Sequence, residues 1–489
     1  MTEPTKPFFL QALDAMRAGD RRSAAALLRR QLQEGNTSAS NLGPVAQLAA
    51  HIGEVDLAIE AARGAVVPGA LGPLIDYWGM LATYGRSEEA LAELKRQPPA
   101  LTEHPNVLHF RATLATQMGR LKEARDLFRR SLAKSPGAMQ TWFSLAMIKT
   151  FSPGDPDMTA MERLERQNSG PQEALASLHY GLGKAREDCG DIDRAFDHYS
   201  KGAAIRRQSV RFDAAQFGRA ADQVIRDFTA DGLAMLRPSG CRDNRSLFVT
   251  GLPRSGTTLT EQILLGHSDV SQGEEVNLFA PAMAPTRGIG LANARAYQER
   301  ATHADPWGEI GRDYRGLIDQ RFRSHGLIVD KSLSQALFTG LMLHSLPDAR
   351  IVWMRRSAED VALSCFRTFF ATGIPWSWSL TDIADAMRVE DRLFEHWSAL
   401  FPERILVVQY EELVSAPALW SQRIQEHFGL TVEEGLESAS RTGRTVGTAS
   451  AAQVLQPITT TRIGQATAFE RHLAAFRERY YGAAADRLA

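Results

Sequence analysis

The sequence predicts a multi-domain chain: an N-terminal all-α solenoid of helical pairs, then a C-terminal α/β domain with a parallel sheet and a P-loop-like turn. Three observations carry this. At 489 residues the chain exceeds what one hydrophobic core usually serves. A glycine followed five residues later by alanine recurs at a nearly constant period through the first half. In the second half a short apolar run leads straight into Gly251-Leu252-Pro253-Arg254-Ser255-Gly256-Thr257-Thr258 and then into a helical pattern.

Composition narrows the class. With 44% hydrophobic and 23% charged residues, the chain is an ordinary globular one. Its 56 Lys and Arg against 57 Asp and Glu lack the basic excess that holds a nucleic-acid backbone. Cys189, Cys241 and Cys365 are odd in number and widely spaced, which fits neither a disulfide framework nor a zinc knuckle and points to a reducing compartment. The start, Met1-Thr2-Glu3-Pro4-Thr5-Lys6, lacks the basic and apolar segments of a signal peptide, and no run approaches about 18 uninterrupted apolar residues. A cytoplasmic protein without a membrane span is expected.

The helical half comes first. Its repeating pairs are Gly19 with Ala24, Gly53 with Ala58, Gly85 with Ala90, Gly119 with Ala124, and Gly190 with Ala195. Successive glycines lie 34, 32, 34 and 71 residues apart, the last close to two periods. Glycine tolerates the tight turn between antiparallel helices, and alanine lets the second helix pack closely. Leu121, Ala124, Leu127, Phe128 and Leu132 fall on one helical face. Period and turn together resemble the tetratricopeptide repeat over roughly residues 8 to 210. Pro153-Gly154-Asp155-Pro156 interrupts the pattern and marks an irregular repeat. The resemblance implies a curved surface suited to a peptide or protein partner, with a structural prop for the second domain as the alternative. Arg237 to Asn244 lacks periodicity and reads as the linker, giving a helical domain over 1–230 and an α/β domain over 245–489.

Ser246 to Thr250 then reads as a buried strand, and Leu259 to Leu265 as the helix beyond the loop. Gly251 and Gly256 have the G-x-x-x-x-G spacing in which backbone N–H groups and a helix N-terminus surround a phosphate. Thr257 stands where a nucleoside triphosphatase has its lysine, so the loop suits a single phosphate better than a triphosphate. The cation sits earlier, at Arg254, and Ser255, Thr257 and Thr258 offer hydroxyls. Leu327 to Asp330, ending at Lys331, and Arg350 to Met354, ending at Arg355-Arg356, read as further strands that place cations at the C-terminal rim of the sheet. Arg404 to Leu413, which holds Tyr410, completes the strand set.

Pro253 to Leu259 resembles the 5′-phosphosulfate loop of sulfotransferases that use 3′-phosphoadenosine 5′-phosphosulfate (PAPS), and within them the tyrosylprotein branch. The resemblance spans about residues 246 to 470. Within it, Gly273-Glu274-Glu275 stands where that branch has its catalytic base, which falls on Glu275, 21 residues after Arg254. A carboxylate there can take the proton of an attacking hydroxyl. Lys331 and Arg254 are implied to balance charge growing on the sulfate. Arg356 and Ser364, eight residues apart, match the arginine and serine that hold the 3′-phosphate, with Arg355 the lesser choice. Tyr410 is implied to approach the nucleotide, a core tyrosine being the alternative. Ser450 to Pro457 resembles the loop that closes over the cofactor, with Ser450 as its binding serine. The basic residue that follows in the family falls on Gln465, leaving Arg462 as a substitute, and Ser332-Leu333-Ser334-Gln335 lacks the proline and asparagine of many bacterial relatives.

The function so implied is transfer of a sulfuryl group from PAPS to an acceptor hydroxyl, with protein tyrosine among the acceptors and no metal. Arg254, Ser255, Gly256, Thr257 and Thr258 would bind the donor. The alternatives are a P-loop kinase or nucleoside triphosphatase, disfavoured by Thr257, and a non-catalytic repeat scaffold, disfavoured by the joint presence of Arg254, Glu275, Lys331, Arg356 and Ser364. His267 is expected to shape the turn toward Glu275, and Trp376 and Trp378 to pack or to line an acceptor pocket.

Overall fold

The computed structural model describes residues 7–34, 38–167, 170–333, 335–371, 373–437 and 458–485. The first half is a run of antiparallel helical pairs. Phe8–Arg17 packs on Arg21–Gln33, Ala39–His51 on Val55–Gly64, Leu71–Thr83 on Ser87–Lys95, Pro105–Gln117 on Leu121–Lys134, and Gln172–Asp188 on Ile192–Ser209. The recurrent glycines make the turns: all five have φ between +72° and +82°. This left-handed geometry costs other residues roughly 1–2 kcal/mol. The alanine five positions on is fully buried in every pair, so a longer side chain there would force the helices apart. The Pro153 to Pro156 turn does break the regularity. Met139–Met147 packs mainly on Gln172–Asp188, and Pro156–Gln167 is inserted between them in sequence.

The second half carries a parallel sheet of β1 (Ser246–Gly251), β2 (Val270–Glu274), β3 (Leu327–Asp330), β4 (Ile351–Arg355) and β5 (Ile405–Gln409), in the order β2-β3-β1-β4-β5. β1 is central and every residue of it is buried, as a strand covered on both faces must be. Three strands follow from the sequence within a residue or two, while the last, read over Arg404 to Leu413, stops at Gln409 because Tyr410–Ser415 turns into a helix. β2 escapes that reading, because Ser271, Gln272 and Gly273 have little strand propensity and the strand is a half-exposed edge. From β1 the chain runs to one side through β2 and β3, then crosses to β4. A crevice therefore opens beyond the C-terminal ends of β1 and β4.

The helical pairs pack directly on the layer that covers the sheet. Arg21, 5% exposed, binds Glu54 at 2.7 Å and also Asp313 of helix Pro306–Arg321. Gly53 admits Leu278 and Leu317, whose methyl groups lie 2.9 and 3.1 Å from where its Cβ would be. Tyr180 donates to the Phe366 carbonyl at 3.0 Å and joins Tyr199, Val361 and Trp378 in one apolar cluster. Trp376 packs against the same cluster, so both tryptophans serve packing. Helix Ala214–Asp227 lies on Leu380–Leu400 and shares a core with Trp353 and Trp397. Cys189, Cys241 and Cys365 are free thiols. Among the described residues no helix is long and apolar enough to cross a membrane.

Candidate active site

β1 ends at Gly251, where a Cβ would lie 2.5 Å from the Met354 carbonyl oxygen. The chain returns through Arg254 (φ +71°) and Gly256 (φ +108°) into helix Thr257–Leu264. A side chain at Gly256 would strike the Tyr410 ring at 2.7 Å. Tyr410, buried at the end of β5, thus supports the loop from below, and its ring carries the Arg356 guanidinium at 4.4 Å. Ser255, Thr257 and Thr258 are buried, and the Ser255 Oγ has no hydrogen-bond partner.

Beside the loop lies a basin of arginines. Arg254 donates from Nε to the Ser364 Oγ at 2.9 Å. Arg356 donates to the Arg254 carbonyl at 3.3 Å, to Asp360 at 3.3 Å and to the Arg462 carbonyl, while its own Nε is buried without a partner. Burial, with Arg367, Arg462 and Arg356 adding repulsion, pushes Arg254 down to about 10. Arg462 is lowered by burial and by Arg367 and Arg356. So many cations held together in a low-dielectric pocket favour an anion among them. Gln465 accepts from Arg367, which also pairs with Glu187 of the helical half, and it is Arg462 that stands near the basin. Arg355 is turned elsewhere, bonded to Asp391 and stacked on Phe394 at 4.5 Å.

At the other end of the rim stands Glu275, just past β2. Lys331 is completely buried and donates to the Glu275 Oε1 at 2.7 Å. The segment around Glu275 is fastened three times. The Lys331 N–H bonds the Glu274 carbonyl at 2.9 Å. The Asn277 N–H bonds the Ser332 Oγ at 2.7 Å, and Ser332 in turn donates to buried Asp330, which also receives the Tyr314 hydroxyl at 2.7 Å. Arg321 grips the Glu274 carboxylate and donates to the Thr83 carbonyl at 3.0 Å, in the turn of the third helical pair. Burial, opposed by Lys331 and reinforced by Glu275 and Glu274, pushes Glu261 of the loop helix up to about 7. His267 accepts the Asp269 N–H at 3.0 Å and contacts the Thr431 carbonyl, so it shapes the turn before β2.

The rim therefore gathers Arg254, Ser255, Gly256, Thr257, Thr258, Arg356, Ser364 and Tyr410 in one group and pairs Glu275 with Lys331 in another. Arg254 falls with Ser364 and Arg356. Ser450 lies outside the described residues. Sequence reasoning missed Arg367, although it lies one helical turn beyond Ser364 and could have been found by that spacing. It also missed Arg321, and Asp330 with Ser332, which bond each other locally but whose links to Tyr314 and Asn277 are tertiary.

A curated protein from Aquifex aeolicus (strain VF5), described as uncharacterized, is 27% identical over 400 residues, covering 79% of this chain and 51% of that protein. This chain thus spans about half the length of that relative. Among solved structures, the sulfotransferase domain of the Synechococcus PCC 7002 olefin synthase is 18% identical, covering 47% of this chain and 90% of that one at a TM-score of 0.34. A Mycobacterium tuberculosis sulfotransferase is 16% identical, covering 66% and 97% at a TM-score of 0.29. These two likenesses are too low to bear on the site. Residues 246–434, which hold the loop, Glu275, Lys331 and the Arg356–Ser364 pair, match the Sulfotransferase family.

Proposed function

We propose that the chain transfers a sulfuryl group from PAPS to an acceptor hydroxyl, with protein tyrosine as the acceptor class and a tetratricopeptide-like helical half. The proposed units are 1–230 and 245–489, and the three free thiols suit a cytoplasmic setting. One observation carries the reading: a single sheet rim is divided between a buried arginine basin and a lysine-bonded carboxylate.

The basin fits a phosphosulfate donor. The Ser255 Oγ and the Arg356 Nε are buried without partners, and buried polar groups are rarely left so. Anionic oxygens would satisfy both through charge-assisted hydrogen bonds. The loop amides and the hydroxyls of Ser255, Thr257 and Thr258 would hold the 5′-phosphosulfate, and Arg356 with Ser364 the 3′-phosphate. Arg254 joins that second subsite through Ser364, so charge balance at the sulfuryl group falls chiefly to Lys331. Tyr410 keeps Gly256 and Arg356 in place. In the reaction the acceptor oxygen bonds to sulfur, the bond from sulfur to the donor phosphate oxygen breaks, and the acceptor proton passes to Glu275. Lys331 holds Glu275 through Oε1, yet the Glu275 side chain is 38% exposed, so an acceptor can reach it. No residue of the site is assigned to a metal.

Thermal melting tests the donor assignment. At about 100 times its dissociation constant, 3′-phosphoadenosine 5′-phosphate should stabilise the protein by roughly 2.7 kcal/mol, and ATP with magnesium should not. The reading fails if the ATP complex shifts the melt and the bisphosphate does not. Glu275→Gln should lower sulfate transfer by about 10² to 10⁴ while keeping the bisphosphate shift. Undiminished transfer would remove Glu275 as the base and leave the donor site standing.

A further inference from the structure

A cleft of about 960 Å³ opens between the helical half and the edge of the sheet. Glu275 is on its wall, and the facing wall is built by three successive helical pairs through Val55, Gly79, Tyr84 and Phe110. The volume lies at the top of the range that small-ligand sites occupy, so a lone phenol would fill little of it. β2 is the end strand on this side, with β3 as its strand partner among the described residues. Five consecutive residues, Ser271 to Glu275, line the cleft. Successive side chains of a strand point to opposite faces, so an unbroken run means that the edge itself is presented. An extended peptide matches such an edge by adding main-chain hydrogen bonds, a donor and acceptor row that a saccharide does not reproduce.

The charges in the cleft narrow the peptide further. Five carboxylate side chains face three arginines. Each arginine is already engaged: Arg323 with Asp56 and Arg86 with Glu89, both at 2.6 Å, and Arg321 with Glu274. Glu261 is raised to about 7 by burial and Glu275 is paired with Lys331, so charge is balanced without help from a ligand. Carboxylates flanking the acceptor hydroxyl would therefore find no unpaired arginine among the lining residues.

Resting on the sulfotransferase reading, we propose that this cleft is the acceptor site, that it takes an extended uncharged peptide segment along β2, and that the helical half forms its second wall. Gly79 offers a direct test. Its Cβ would meet nothing within 4 Å and it lines the cleft, so Gly79→Trp fills the cleft without displacing the fold. Gly72, on the same helix and equally open, does not line it, so Gly72→Trp is the control. The acceptors are heptapeptide libraries with central tyrosine, serine or threonine and acidic, neutral or basic flanks, beside 4-nitrophenol and chitohexaose. The expected result is neutral peptides preferred over acidic ones, with peptide transfer reduced at least about tenfold in Gly79→Trp. Transfer to 4-nitrophenol, the bisphosphate melting shift and the Gly72→Trp variant should be unaffected. In the wild-type chain, a saturating peptide should also slow amide exchange over Val270 to Glu275. Peptide transfer undiminished by Gly79→Trp, exchange at β2 unchanged by a peptide that is turned over, or transfer to chitohexaose but to no peptide would each overturn the proposal. Absence of the bisphosphate shift in the wild-type chain would instead remove the donor reading, and this proposal with it.

Discussion

Glu261 shows how a single side chain can be costly to the fold beside a reactive group. It is buried on the loop helix, 3.1 Å from where a Cβ on Gly273 would lie, and burial raises it from the usual carboxylate range to about 7. Because the folded chain holds this proton more tightly than the unfolded one, stability is lost as pH rises from about 4.5 to 7. The full loss is about 3 kcal/mol. Glu261→Gln, which keeps the neutral shape, should raise the melting temperature little at pH 5 and most at pH 8. An equal gain at both would refute the buried proton. At this scale the legible candidates were those tied to a motif: Arg254 and Lys331 stood out by their place at a loop and a strand end, and Glu275, Arg356 and Ser364 by what the family resemblance implies. Glu261, Arg321, Asp330 and Ser332 did not, because apart from the local Asp330–Ser332 bond their importance comes from neighbours that the chain order does not bring near.

Among elements, the helical pairs were the easiest to read and β2 the hardest. A turn that needs a left-handed residue and a contact that admits only a methyl group leave a recurring Gly and Ala in the sequence. A half-exposed edge strand of Ser, Gln and Gly leaves nothing comparable. The helical half also carries its own pH response. His109 is held down to about 4 by burial, and His179 and His198 to about 4 by burial with neighbouring cationic charge. His179 and His198 meet at 3.3 Å between Nδ1 atoms, beside Glu165. Protonation favours the unfolded chain for all three, so their contribution is intact above about 6.5 and is withdrawn as pH falls toward 4. For His109 alone this amounts to about 3 kcal/mol. Circular dichroism melts should show a falling midpoint over that window, and His109→Gln should flatten part of the fall. A slope unchanged by that substitution would mean that His109 is not the titrating group.

For the whole molecule, the decisive contacts join its two halves, and these were not legible at all. Nothing in the sequence around Arg21 points to Asp313, or around Thr83 to Arg321. Arg21 is buried between Glu54, 7% exposed, and Asp313, 12% exposed. Without the guanidinium Asp313 keeps Arg22 at 3.2 Å and Glu54 keeps Arg29 at 3.6 Å, both more exposed partners, so Arg21→Ala should cost about 1–3 kcal/mol by chemical denaturation. A loss below about 1 kcal/mol would show the joint to be solvated. The same docking has a consequence for colloidal behaviour. An end strand in a parallel sheet is a template on which another copy can grow, and proteins commonly blunt such edges with charge or cover them. Here the helical half lies across a cleft from the edge of β2 and so covers it. Any change that loosens the joint at Arg21 or Arg321 should therefore expose a sticky edge, and precipitation should accompany the loss of stability.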